Sequence, residues 1–105
     1  MIKVNVKKKE NSISEITITG HAYYDESGKD IVCASTSSIA ITTVNAILRL
    51  NSQALRYEEG EGSLKIYLEK HTKTIDTLLV NMVELLQELE QDYPSYIKVS
   101  QNINK

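Results

Sequence analysis

The sequence predicts an α/β (α+β) two-layer single domain, in which a mixed or antiparallel sheet packs against two helices in the order ββαβαβ. Three observations predict it. Short runs near both ends and in the middle of the chain alternate apolar and polar residues, the period of a strand with one buried face. Two longer segments carry apolar residues at helical spacing. At 105 residues the chain has the length of one domain, and it shows no internal repeat, linker or low-complexity tract.

The elements follow in order. Ile2, Val4 and Val6 alternate with Lys3, Asn5 and Lys7 to give the first strand. Residues 7–11 are polar and read as a hairpin tip. Lys7, Lys8 and Lys9 could form an anion-binding patch, but a solvated turn is the favoured reading, since lysines also discourage edge-to-edge pairing of sheets. Ile16 and Ile18 alternate with Glu15, Thr17 and Thr19 in the second strand.

The first helix is expected from about Ile31 to about Leu50, with Val32, Ala40, Val44, Ile47 and Leu48 at helical spacing. Its β-branched content is high, so burial rather than propensity must hold it. It is apolar on more than one side, which suits contact with both the sheet and a second subunit. Residues 51–57 read as a connection and 58–62 as a turn. Leu64, Ile66 and Leu68 alternate with Lys65, Tyr67 and Glu69 as the third strand.

In the second helix, Ile75, Leu78, Leu79, Met82, Val83, Leu86 and Leu89 form one apolar stripe. Thr74 is the expected N-cap, Asp76 lies in the first turn, and Pro94 ends the helix because the residue before proline avoids the α region. Ile97 and Val99 then alternate with Tyr96, Lys98 and Ser100 in a final strand.

Composition narrows the function. The formal net charge is −2, so no global positive field draws the chain to nucleic acid, and a slightly acidic surface suits a basic protein substrate. The single cysteine forms no internal disulfide, in keeping with a reducing, cytoplasmic setting. No apolar run is expected to reach the roughly 18–20 residues of a membrane span, and the start reads as a strand rather than a signal peptide. One cysteine and two separated histidines give no metal-ligand cluster, and no cofactor is implied. His71, next to Lys70 at a strand–helix junction, reads as a surface residue.

The chemistry gathers in residues 20–38. Gly20 closes a β-branched run, so His21 falls just past a strand end, and Cys33 is expected in the first turn of the first helix. That layout suggests a thiol nucleophile beside its base. A free thiol titrates near 8.5, so only a few per cent is thiolate at neutral pH. A helix N-terminus favours an anion by roughly 0.3–1 kcal/mol, too little to activate it. An imidazolium about 4 Å away contributes on the order of 4 kcal/mol before screening, about three pK units, so the histidine decides.

Asp30 has two readings of equal weight: a cap accepting the Cys33 N–H, or a carboxylate that orients His21. Ser37, one turn after Cys33, either hydrogen-bonds the thiolate or substrate, or is a small residue that permits close packing. Backbone N–H groups around Cys33, at an open helix end, are natural oxyanion donors. The loop at residues 22–29, with Tyr23 and Tyr24, suits a lid over bound peptide, against the plainer reading of a solvated loop.

Gly20-His21-Ala22, then Gly28-Lys29-Asp30-Ile31-Val32-Cys33-Ala34, then Ser37, resembles the signature of the ribosomal-processing cysteine protease (Prp) family. The resemblance extends to length and element order, although outside this block only the hydrophobic pattern agrees. It implies a small α/β homodimer with His21 and Cys33 as a catalytic dyad. It also implies a peptide substrate, the N-terminal extension of a large-subunit ribosomal protein precursor. The sequence departs from the family pattern at Ser35, Thr36 and Ser38, where many relatives carry small apolar residues. A cysteine endopeptidase is therefore expected. Two other readings remain: a non-catalytic ribosome-assembly factor that binds a ribosomal protein tail, and a redox-sensing thiol.

Overall fold

The computed structural model describes residues 1–20 and 27–104, with side chains for 1–20 and 31–102. Its elements are β1 (Ile2–Lys9), β2 (Ser12–Thr19), α1 (Ser27–Leu50), β3 (Leu55–Gly60), β4 (Ser63–Leu68), α2 (Lys73–Asp92) and β5 (Ile97–Asn104). The five strands form one mixed sheet in the order β3-β4-β2-β1-β5. All neighbours are antiparallel except β1 and β5, which run parallel. The expected two-layer α+β domain with a mixed sheet is therefore found, with one strand more than the ββαβαβ order allowed.

One face of the sheet makes the core. Register pairs Val4 with Ile18, Val6 with Ile16, Ile16 with Ile66 and Ile2 with Ile97. Each of these is buried, so the alternation becomes rows of aliphatic side chains beneath the helices. From α2 come Ile75, Leu79, Met82, Val83 and Leu86, and from α1 come Val32, Ala40, Val44 and Ile47. Burying a side chain of this size contributes roughly 1.5–3 kcal/mol, which is what holds a helix as rich in β-branched residues as α1.

The β1–β2 turn is tighter than expected. Lys7, Lys8 and Lys9 belong to β1, with a register shift between Lys7 and Lys8, and Lys9 pairs with Ser12. The turn is Glu10-Asn11 alone, both at positive φ (53° and 70°), as a two-residue hairpin with the strands' own twist requires.

Three other boundaries differ. β3 covers residues read as a connection and a turn, and the chain turns only at Glu61-Gly62. The α2 cap is Thr72, not Thr74: its Oγ1 accepts the Ile75 N–H at 3.1 Å. Most important for the site, α1 begins at Ser27 rather than Ile31.

The segment Ile31–Leu50 is also long and apolar enough by composition to cross a membrane, which corrects the expectation that no run approached that length. Here it packs on α2 and puts four side chains into the core. Ile31, Ile41 and Leu50 remain half-exposed on it.

Candidate active site

Gly20 ends β2 at φ +103°, in the region that favours glycine. A Cβ there would stand 2.2 Å from the Met1 carbonyl oxygen, so no other residue fits without moving backbone. The Gly20 N–H donates to the Gly62 carbonyl at 3.0 Å. This bond ties the end of β2 to the β3–β4 turn, and the chain leaves toward residue 21 from a fixed point.

Opposite lies α1. Cys33, Thr36, Ser37, Ala40 and Ile41 are spaced by three or four residues along it, so they share one face. That face, with Gly20 and the β3–β4 hairpin, encloses a cleft of about 240 Å³. Cys33 is partly buried against the core and also opens onto the cleft. Ser37 is exposed on the cleft wall rather than close-packed. Ile18 and Leu64 supply apolar walls, and Glu59 and Gly60 of β3 form part of the rim.

The structure thus brings together Gly20, Cys33 and Ser37 of the expected site. His21 and the loop at 22–26 lie outside the described residues, as does the Asp30 side chain; residues 27–29 of the expected lid are helical.

The earlier start of α1 changes three expectations. Asp30 is the fourth residue of the helix, so it is not the cap. Cys33 is the seventh, in the second turn rather than the first, where the terminal dipole has largely fallen away. The N–H groups without a helical partner all precede residue 30, so the Cys33 N–H is not the expected oxyanion donor. Activation of the thiol then rests more heavily on a basic partner.

Thr36 was not singled out as a site residue. Its side chain is 3% exposed, it lines the cleft, and its Oγ1 has no hydrogen-bond partner. The sequence shows a threonine there; only the packing shows that its hydroxyl is unpaired.

Among the described residues no group of three or more His, Cys, Asp or Glu side chains could hold a metal ion. His71 Nδ1 lies 3.2 Å from Asp76 Oδ1 on the surface of the α2 N-terminus, away from the cleft.

The family model described as "Cysteine protease Prp" matches residues 1–98. The chain belongs to the cysteine protease Prp family. The Prp protein of Staphylococcus aureus, a ribosomal processing cysteine protease, is 30% identical over 95% of this chain and 98% of its own length. Two crystal structures of S. aureus Prp match this fold. The complex with a substrate peptide has a TM-score of 0.89 at 26% identity, covering 97% of this chain and all of that one. The complex with a covalently linked product peptide has a TM-score of 0.86 at 28% identity, with the same coverage. A Prp-family cysteine protease with one cysteine in its sequence has one thiol to offer, and in this fold that thiol opens onto the cleft.

Proposed function

We propose that this chain processes a ribosomal protein precursor, removing the N-terminal extension of a large-subunit protein, with Cys33 as nucleophile and His21 as its base. The observation that carries the proposal is that the only cysteine lines the cleft. The substrate and product peptide complexes of the S. aureus relative support a peptide as its occupant.

In this mechanism His21 takes the Cys33 proton and the thiolate adds to the scissile carbonyl. The tetrahedral adduct collapses, and the leaving amine takes the proton back from His21. Water, deprotonated by His21, then hydrolyses the thioester and frees the thiol. Asp30, no longer a cap, orients His21. Ser37 contacts the peptide or the thiolate.

β3 lies at one edge of the sheet, and its Glu59–Gly60 end borders the cleft, so an extended peptide adds there as a further strand. Glu58, Glu59 and Glu61 on the same hairpin suit the basic composition of a ribosomal protein. The half-exposed Ile31 and Leu50 of α1, which do not line the cleft, support a homodimer, and the single cysteine suits work in the cytoplasm.

The test is to mix wild type, Cys33→Ala and His21→Ala with the host's ribosomal protein precursor and weigh the products. Wild type should give two fragments split at one bond, and both variants should leave the precursor whole. Intact precursor with wild type refutes the protease. Cutting by either variant refutes the dyad.

A further inference from the structure

We propose that Thr36 is a specificity-determining residue of the cleft, and that its hydroxyl pairs with the uncharged polar tip of a substrate side chain inserted there. The inference rests on the proteolytic reading above and adds to it the chemistry of one subsite.

A hydroxyl removed from water without a partner destabilises the fold, and buried side-chain polar atoms are paired in the large majority of cases. Among the buried residues of α1 there are two threonines. Thr43 follows the usual helical solution: its Oγ1 donates to the Ile39 carbonyl, one turn back, at 2.9 Å. Thr36 does not, and its Oγ1 is left unpaired. The two differ in what they face, since Thr36 lines the cleft beside Cys33 and Thr43 does not.

The depth of Thr36 selects the partner. A peptide backbone reaching a residue only 3% exposed would have to bury its own N–H and C=O groups among Ile18, Ala40 and Leu64. In this proposal a substrate side chain lays an apolar stem against those walls, and its polar end meets the buried hydroxyl as the packing over it parts. A charged end would need a counter-charge at the floor, and among the described residues the one ionisable lining group besides the Cys33 thiol is Glu59, on the rim hairpin. An amide fits: its oxygen accepts from the hydroxyl, or its N–H donates to it.

The experiment uses synthetic peptides spanning the precursor junction, in which each position in turn carries glutamine or methionine, side chains of similar length and flexibility. Wild type should cleave the glutamine peptide faster at one position, by roughly three- to tenfold in kcat/KM, the range of a neutral hydrogen bond. Thr36→Val should lose that preference while its Tm holds or rises, and Thr36→Ser should keep it. A purely structural threonine would not pair a retained Tm with a changed substrate ratio. An unchanged glutamine-to-methionine ratio in Thr36→Val at every position overturns the proposal. The ratio is taken within one enzyme, so Thr36→Ala serves equally if the valine variant does not fold. If wild type cuts no peptide and no precursor, the proteolytic reading falls, and this inference with it.

Discussion

The Gly20 N–H meets the Gly62 carbonyl at 3.0 Å, and this contact joins the strand that leads to His21 with the hairpin that rims the cleft. Both glycines have positive φ, +103° and +69°. The Cys33 side of the cleft is helix and the opposite side is hairpin, and this bond pins the hairpin to the end of β2.

Gly20→Ala should therefore damage stability and cleavage together. The new methyl would stand 2.2 Å from the Met1 carbonyl oxygen in a backbone region that alanine avoids, a combined cost of roughly 2–4 kcal/mol. Urea denaturation measures it, and a loss under about 1 kcal/mol would contradict the geometry.

Cys33→Ala should separate chemistry from folding. The thiol is only partly buried, so the stability change should stay within about 1 kcal/mol. Cleavage should fall at least about a thousandfold, the scale of losing a covalent nucleophile. Matched denaturation curves and single-turnover rates check both halves.

Thr72→Ala should cost about 1 kcal/mol through loss of the bond to the Ile75 N–H. Thr74→Ala, at an exposed position inside the helix, should change stability by less than about 0.5 kcal/mol. Equal effects of the two would place the cap wrongly.

Leu86→Ala should cost roughly 2–5 kcal/mol, since its side chain is fully buried in the core. Its neighbour Leu85, 39% exposed, should cost under about 1 kcal/mol when truncated the same way. Denaturant midpoints for the pair test which face of α2 carries the fold.

The sequence was legible where one face of an element is buried throughout. Val4, Val6, Ile16, Ile18 and the α2 stripe alternate at the periods their packing demands. β3 was missed because only Ala54 and Leu55 around its start are buried, and Arg56 to Gly60 are all exposed, so no alternation exists to read. The start of α1 was missed because Ser27-Gly28-Lys29-Asp30 carries no apolar residue and includes a glycine, the composition of a loop. At the site, Cys33 and Ser37 could be placed on one face from spacing alone. The unpaired hydroxyl of Thr36 could not, because it depends on which way a side chain turns inside the packed helix.

The parallel pairing of β1 with β5 matches Ile2 to Ile97 and Lys9 to Asn104, so the two ends of the chain lie at opposite ends of the sheet. The Met1 carbonyl sits against Gly20 at the cleft mouth, whereas Asn104 is seven residues away along the strand, about 23 Å at ~3.3 Å per residue. A purification tag fused ahead of Met1 would start beside Gly20, at the cleft's edge. The same tag appended after Lys105 would leave the entrance clear.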